Sequence, residues 1–415
     1  MKKYIADIVE HKLLNGAKVF IKKRKDVESV SIQVWFSVGS SYEDYKEKGM
    51  AHFLEHMLFN GSERYEYGEL DVLVEGLGGQ INAATSKDFT YYYINISSNY
   101  LKQAVDILES LTLRAKLDED MIEKEKPIVI EELRRGLDSP ITRFFERFDR
   151  LFYKVSNYMY PIIGYEDTIS NFTKEMLENF YNSYYQPLNM TVSVSGNISD
   201  EDINFIYDMF SQKPENNIRP SIYVPEPPKR FPRQELLEDP MIDRTYYAIG
   251  WDAPNIGEKM YYPFVVFDQI LSGGRTSLMH NEVKEKGIVY SYSCQDGAHK
   301  QDNNYTIFAI TDYGKVNLFK NKVFELLEKI SHLKDEDIRK AKEKILNQED
   351  FVLENPESEA DLMGFSSAVV KDISYFKYFK SNIDNVDKND ILRLLDNYFK
   401  RDIYVELTMK PKESV

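Results

Sequence analysis

Residues 49–61 read GMAHFLEHMLFNG, and a helix predicted around Gly49 to Phe59 is one step of a pattern that occurs twice in the chain. Their apolar residues recur at the three- and four-residue intervals of a helix with one buried face. Before them, residues 30–38 (VSIQVWFSV) largely alternate between apolar and polar side chains and are predicted to form a strand. After them, residues 79–85 and 89–96 are predicted to be two strands, and residues 100–113 an amphipathic helix.

The second half repeats this order of strand, helix, strand, strand and helix. Residues 245–251 are predicted to be a strand and residues 261–271 a helix. Two strands near 289–295 and 304–311 and a helix over 316–333 follow. The repetition predicts an internal duplication. We therefore expect an α+β protein of two homologous α/β domains, each a largely antiparallel sheet packed with helices.

A proline-rich stretch separates the two halves. Six of the 15 prolines lie between Pro214 and Pro232. Proline lacks the backbone donor that helices and sheets need, so this stretch is predicted to be an extended linker. The predicted domains are residues 1–213 and 234–415, with residues 214–233 as the linker. A chain of 415 residues has the length for two domains.

Composition excludes several classes of function. The net charge of −15 argues against a nucleic-acid partner, because binding to phosphates needs basic surface. No apolar run reaches the roughly 18 residues of a membrane span, and the first residues lack the apolar stretch of a signal peptide. The single cysteine, Cys294, excludes an intrachain disulfide and a zinc site built from thiolates. The expectation is a soluble cytoplasmic protein with no membrane partner.

The helix predicted around Gly49 to Phe59 carries a candidate metal site. His52 and His56 are four residues apart, so a helix places them on one face, where both can reach the same ion. Glu55 lies between them and can reach a water on that ion. This is the H-x-x-E-H pattern of the inverzincins. The alternative is a surface helix that carries two histidines by chance, although the chain has only six. A catalytic zinc also needs a third protein ligand.

The wider sequence resembles the pitrilysin/insulinase family of inverzincin metallopeptidases. The matching segments are LNGAKV (14–19), GSSYE (39–43), the motif itself (49–62) and GGQINAATSKDFTYY (78–92). The chain length is similar to that of the short subfamily, which includes mitochondrial and bacterial processing-type peptidases. The resemblance implies a zinc endopeptidase that holds one Zn²⁺ per chain and cleaves unstructured peptides, with Glu55 as the general base.

The resemblance also implies the third ligand. The family uses a glutamate on a later helix, and Glu132 matches it, with Glu125 supporting the site from behind the ligands. Nothing local distinguishes Glu132 from Glu131 or Glu125. Pro127 leaves two possibilities: either the helix bends there, or a new helix starts near it.

Substrate-binding residues are implied in both halves. In this family a peptide adds to the edge of a sheet, at the strand that here contains Asn82 and Ala83. From the second half, a tyrosine that matches Tyr290 and an arginine seven residues earlier contact the substrate. That earlier position is Val283 here, and the nearest cation is Lys284. Either Lys284 acts in a shifted register or a partner subunit supplies the arginine.

The resemblance finally bears on assembly. Long members of the family enclose a chamber with four such domains, so a two-domain chain is implied to be half of a clamshell. We therefore expect a homodimer, or a heterodimer with a related subunit. The main alternative function is a non-catalytic scaffold or partner subunit of a heterodimeric peptidase of the same family. A different zinc hydrolase with the same ligands is a further alternative.

Overall fold

The computed structural model describes residues 7–214, 216–220 and 223–412. The chain divides into two compact units. The first comprises Met1–Arg134, Tyr160–Tyr223 and Asp350–Lys377. The second comprises Arg135–Met159, Val224–Glu349 and Tyr378–Val415.

These units differ from the predicted domains 1–213 and 234–415 in two segments. Residues 135–159 lie in the second unit, and residues 350–377 lie in the first. The proline-rich stretch marks where the chain runs extended, but it carries no information about which sheet a distant helix covers. That choice depends on long-range packing of apolar faces.

Eleven β-strands lie in the described part of the chain. They are β1 (Ile8–Lys12), β2 (Lys18–Lys23), β3 (Ser29–Phe36), β4 (Gln80–Thr85), β5 (Thr90–Ser97), β6 (Met190–Gly196), β7 (Arg233–Asp239), β8 (Thr245–Asp252), β9 (Ser291–Asp296), β10 (Asn304–Thr311) and β11 (Val405–Pro411).

Fourteen α-helices lie in the same described ranges. They are α1 (Met50–Phe59), α2 (Glu69–Gly76), α3 (Leu101–Leu113), α4 (Glu119–Asp138), α5 (Pro140–Phe152), α6 (Glu166–Ser170), α7 (Lys174–Tyr184), α8 (Asp200–Phe210), α9 (Tyr261–Ser272), α10 (Val316–Ser331), α11 (Asp335–Val352), α12 (Pro356–Phe365), α13 (Ser374–Asp384) and α14 (Lys388–Tyr398).

The first unit is built on a six-stranded sheet in the order β1-β2-β6-β3-β5-β4. All neighbouring strands are antiparallel except β2 and β6. One face is apolar because every second residue of β5 points inward, as with Tyr92, Ile94 and Ile96. Helices α1 and α3 contribute side chains such as Leu54 and Leu108 to the same core. Strand β4 forms one edge of this sheet.

The opposite face of this sheet, where polar residues of β3 and β6 lie beside Phe20 of β2, is covered by α12. Gln33 of β3 donates to the Asp361 carboxylate at 2.7 Å, and Ser195 of β6 donates to Glu359 at 2.7 Å. Arg24 pairs with Glu359 at 3.0 Å. Buried polar groups are tolerated when they are hydrogen-bonded. The polar residues of these strands alternate with apolar residues, as they do in a strand with one face in water, but here they contact polar side chains of α12.

The second unit is built on a five-stranded sheet in the order β7-β11-β8-β10-β9. Neighbouring strands are antiparallel except β7 and β11. Helix α5 covers one face with Phe144, Phe148 and Phe152, which are spaced four residues apart and buried. They pack with Ala248 of β8 and Leu407 of β11.

The predicted fold class is confirmed: helices combine with two largely antiparallel sheets. The predicted strand, helix, strand, strand, helix order is present in both halves, as β3-α1-β4-β5-α3 and β8-α9-β9-β10-α10, with α2 inserted in the first. Helix α4 runs without interruption through Pro127, so no new helix starts there and Glu125 and Glu132 share one helix.

Within residues 7–214, 216–220 and 223–412, none of the helices combines the length and the apolar character that crossing a bilayer requires.

Candidate metal centre

Helix α1 presents His52, Glu55 and His56 on the side opposite its buried face. Phe53, Leu54, Met57 and Leu58 are almost completely buried in the first unit's core. This apolar stripe fixes the rotation of the helix about its axis, so the remaining face is determined. The two imidazole rings lie with their centres 4.8 Å apart on that face.

Glu132 of α4 completes a group of three donors. Its two carboxylate oxygens lie 3.7 Å from His52 Nε2 and 3.5 Å from His56 Nε2. One ligand atom from each of the three residues lies within 4.8 Å of the other two, and this is the one such group found in the described residues. Its neighbour Glu131 is exposed and is not in the group.

A buried carboxylate holds the second histidine from behind. Glu125 Oε1 lies 2.9 Å from His56 Nδ1, and Asn60 donates to Glu125 Oε2 at 2.8 Å. Burial favours the neutral imidazole, but the hydrogen bond and charge of Glu125 outweigh it and raise the pKa of His56. The contact with Glu125 at Nδ1 leaves His56 Nε2 directed to the group of donors, as is usual for metal-binding histidines.

His52 is held differently. Its Nδ1 is buried, and it has no hydrogen-bond partner among the described residues. Burial and the neighbouring His56 lower the pKa of His52 to about 4. The ring is therefore neutral at physiological pH, which is the form that binds metal.

Glu55 lies beside these donors and is fixed by the edge strand. The Thr85 hydroxyl, at the end of β4, donates to Glu55 Oε2. Burial raises the pKa of Glu55, and the Thr85 hydrogen bond acts against that rise. A half-buried carboxylate held beside a group of metal-ligand donors is a suitable group for proton transfer.

Two residues predicted to bind substrate lie on β4. Asn82 is exposed, Ala83 is half-buried, and the Asn82 side chain accepts the Ala83 N–H at 2.9 Å. Strand β4 pairs with β5 on one side and is at the edge of its sheet on the other. This edge offers backbone groups to which an added strand can bond.

Tyr290 and Lys284 lie in the second unit. The Tyr290 hydroxyl donates to Asp312 at 2.9 Å, and the Arg244 guanidinium lies 4.5 Å from the centre of the Tyr290 ring. The Lys284 ammonium bonds the backbone carbonyl of Tyr290. The cation stacked on this tyrosine is therefore Arg244, whereas Lys284 contacts its main chain. Val283 is completely buried.

Comparison with known proteins identifies the family of this chain. The sequence model described as insulinase (peptidase family M16) matches residues 18–164, and the model described as the peptidase M16 inactive domain matches residues 171–345. The chain belongs to the M16 peptidase family. The two matched segments follow one another along the chain, in keeping with the duplicated order of elements.

Named relatives of this M16 chain are described as zinc proteases. Zinc protease PqqE of Helicobacter pylori is 27% identical over 409 residues, covering 96% of this chain and 92% of the relative. The uncharacterised zinc protease YmxG of Bacillus subtilis is 28% identical over 314 residues, covering 75% and 76%. A crystal structure of a protease from Helicobacter pylori superposes with a TM-score of 0.92 at 23% identity, covering 98% and 99%.

The donor set of this M16 chain suits zinc. Two imidazole nitrogens and one carboxylate are a known three-ligand set of catalytic zinc sites, which keep a further position open. The outer support also fits, because the M16 chain holds His56 Nδ1 with a carboxylate that is itself hydrogen-bonded. Cysteine does not contribute, and Cys294 is remote in sequence and belongs to the second unit.

Three contacts of this M16 chain were not predicted from its sequence. Asn60 holds Glu125, Thr85 holds Glu55, and Arg244 stacks on Tyr290. Asn60 follows His56 by one helical turn, so helical spacing could have placed it on the same face. No local signal identifies Thr85 or Arg244, because each contacts a partner that is distant in the sequence.

Thr85→Val is expected to lower kcat for peptide cleavage by about tenfold with little change in KM. Valine keeps the shape of threonine but lacks the hydroxyl that donates to Glu55, so the carboxylate loses one of the contacts that orient it. Thr85→Ser retains the hydroxyl and should stay within about twofold of wild type. Steady-state kinetics of the three proteins test this. Equal kcat values for the valine and serine variants would contradict it.

Proposed function

We propose that this protein is a zinc-dependent endopeptidase that hydrolyses unstructured peptides inside a closed chamber. The observation that carries the proposal is the group formed by His52, His56 and Glu132 with Glu55 beside it. Three donors of the types that bind catalytic zinc meet at one point, and a candidate general base lies on the same helix as two of them. Membership of the M16 family and the names of its relatives support the same chemistry.

His52, His56 and Glu132 would hold the ion, and Glu125 would keep the His56 ring in its binding orientation. When bound, zinc acidifies water and polarises the carbonyl of the scissile bond. The chain's own contribution is to fix these ligands before substrate arrives, through the packed face of α1 and the contacts of Glu125 with His56 and Asn60.

Glu55 would move the proton. Its carboxylate would accept a proton from the attacking water and, once protonated, would return that proton to the leaving amine. The Thr85 hydroxyl, bonded to Glu55 Oε2, would help to hold the carboxylate in place for both transfers. The bond that breaks is the amide C–N bond, and the products are a carboxylate and an amine.

Strand β4 would bind the substrate. An extended peptide that pairs with an exposed sheet edge gains main-chain hydrogen bonds regardless of its sequence. Asn82 and Ala83 lie on that edge, and Thr85 at the end of the same strand contacts Glu55. A peptide along β4 would therefore lie next to the general base. Folded proteins would be excluded, because they do not offer a free extended strand.

Tyr290 and Lys284 are proposed as substrate-binding residues by family likeness alone. Their surroundings modify the proposal, since the guanidinium beside Tyr290 belongs to Arg244. Arg244 is thus a third possible source of the cation that the family supplies near this tyrosine, besides Lys284 in a shifted register and an arginine from a partner subunit.

A homodimer is proposed for the working assembly. The periplasmic protease PqqL from Escherichia coli has the same fold at a TM-score of 0.77, and the match covers 97% of this chain but 47% of that one. A protein of that length has room for two such halves in one chain. Two copies of the present chain, or one copy and a related subunit, would supply the same number of domains.

The second candidate function is a non-catalytic partner subunit. The match of residues 171–345 to a domain described as inactive is the observation that favours it. That segment does not contain the three metal-binding candidates or Glu55, all of which lie within the match at residues 18–164. The peptidase proposal therefore stands ahead of the scaffold.

Metal removal and restoration test the proposal. The purified chain is expected to contain about one zinc per chain and to cleave a quenched unstructured peptide. Chelation should abolish cleavage, and one equivalent of Zn²⁺ should restore it. Light scattering of the same preparation gives the number of chains per particle. Stoichiometric zinc with no cleavage, in a particle of any size, would favour the partner subunit.

A further inference from the structure

The first turn of α1 is anchored by a carboxylate from the preceding loop. Glu43 is buried, and its Oε2 accepts the N–H of Gly49 at 2.9 Å while its Oε1 accepts the N–H of Ala51 at 2.8 Å. The first N–H groups of a helix have no partner within the helix, so an outside acceptor stabilises them. Both oxygens of Glu43 are thus committed to the start of this helix.

The loop that carries Glu43 is itself fixed. The N–H groups of Ser40 and Ser41 donate to the carbonyls of Ser86 and Lys87 at 3.1 and 2.9 Å. Ser86 follows directly after the last residue of β4. The loop therefore links the end of the edge strand to the start of α1, and Glu43 forms the last contact in that link.

A second set of contacts, made by Lys48, also restricts movement of the start of α1. The Lys48 ammonium donates to the Glu43 carbonyl at 2.6 Å, and the Lys48 carbonyl accepts the Thr168 hydroxyl at 2.6 Å. A Cβ at Gly164 would lie 2.2 Å from the Lys48 carbonyl oxygen. Lys48, two residues before the helix, is thus held closely, and a shift of the first turn would break several contacts together.

His52 depends on this anchor more than His56 does. It follows Ala51 directly and lies in the first turn of a helix of ten residues. His56 has Glu125 at its Nδ1, whereas His52 Nδ1 has no partner in the described part of the chain. The orientation of His52 therefore depends on its backbone and its packing. A short helix is marginal by itself, so its end is the part most ready to shift.

We propose that Glu43 is a positioning residue of the metal centre. Its carboxylate fixes the turn that carries His52 and so increases the affinity for zinc, in the way that a hydrogen bond to the ring does for His56. The inference rests on the proposed zinc peptidase function. Outer partners of metal ligands contribute about 10–100-fold to affinity, and a contact through the backbone belongs at the lower end.

Glu43→Gln is the variant that tests it. The amide keeps the size of the side chain but replaces one acceptor with an NH₂ group, which would face a backbone N–H. Zinc affinity of the metal-free full-length chain, measured by competition with a chromophoric chelator, should fall about tenfold. The visible spectrum of the Co²⁺-loaded protein should also change, because it reports the geometry of the ligands.

Glu47→Gln serves as the matched control. Glu47 is also a capping carboxylate, but it accepts the N–H of Asp44 at 3.0 Å, in the short turn before α1. The zinc affinity and the Co²⁺ spectrum of the Glu47→Gln protein should match those of wild type. A folded Glu43→Gln protein with wild-type affinity and spectrum would overturn the inference, since a purely structural cap changes neither.

Two further outcomes have defined meanings. If Glu43→Gln does not fold, Glu43→Asp replaces it: the shorter carboxylate keeps the charge but cannot reach both N–H groups. Its zinc affinity should fall severalfold, and an unchanged affinity would equally overturn the inference. Absence of zinc binding by the wild-type chain would refute the proposed function, whereas wild-type binding with unaffected variants refutes only the role of Glu43.

Discussion

Glu55→Gln is expected to reduce kcat for peptide cleavage by about 10³-fold and to leave the zinc content of the chain unchanged. A positioned general base contributes about 10²–10⁴-fold, and the amide of glutamine is too weak a base to replace it. Glutamine has the same shape, and Glu55 is not one of the three candidate ligands, so the metal should still bind. Kinetics with a quenched peptide, together with metal analysis of the same sample, test both parts.

Glu75→Gln is a suitable control for this variant. Glu75 is an exposed glutamate of α2, outside the group of donors. Its replacement should leave kcat, KM and zinc content at wild-type values. If Glu55→Gln kept more than about a tenth of wild-type kcat, the role of Glu55 as general base would be untenable. Loss of zinc in the same variant would instead indicate that Glu55 takes part in binding the metal.

The local part of the site could be predicted because helical spacing alone determines it. His52, Glu55 and His56 lie within five consecutive residues, and the buried stripe of α1 decides which way they face. No long-range contact enters that argument. For the same reason the elements with clear periodicity, such as β3 and α1, begin and end within two residues of their predicted bounds.

Contacts between distant segments could not be predicted in this way. Glu131 and Glu132 are equivalent in the sequence, and only the packing of α4 against its unit decides which of them meets the histidines. Because the sequence does not show this packing, the prediction of Glu132 as the ligand rested on the family resemblance. No comparable guide existed for Arg244. It lies just before β8 and contacts Tyr290 just before β9, and these two strands are separated in the sheet by β10.

Composition was also an incomplete guide to the units. The proline-rich stretch does lack regular structure where it is described, at residues 214, 216–220 and 223–232. Yet α12 lies in the first unit, where its polar side chains hydrogen-bond those of β3 and β6, for example Asp361 with Gln33, and its Met363 packs with Phe20. Alternation along β3 indicates a strand, but it does not tell whether the polar face meets water or a polar helix.

Glu132→Gln is expected to weaken zinc binding by more than about 100-fold. The carboxylate lies within reach of both imidazoles and supplies the only negative charge of the three donors. Even residues that merely support a ligand contribute 10–100-fold, so loss of a charged ligand should exceed that range. Competition with a chelator gives the affinity directly. At a zinc concentration about 100 times the wild-type Kd, the metal stabilises wild type by about 2.7 kcal/mol, and the variant should lose most of that stabilisation.

Glu131→Gln distinguishes loss of a ligand from loss of charge on α4. It removes the same charge one residue away, from a side chain that is exposed and outside the group of donors. Zinc affinity and the thermal shift on adding zinc should both match wild type. Equal weakening in the two variants would mean that the helix attracts the ion by its general charge and that Glu132 is not a ligand. Because both substitutions have the same size and chemistry, a difference between them can come only from where each carboxylate points.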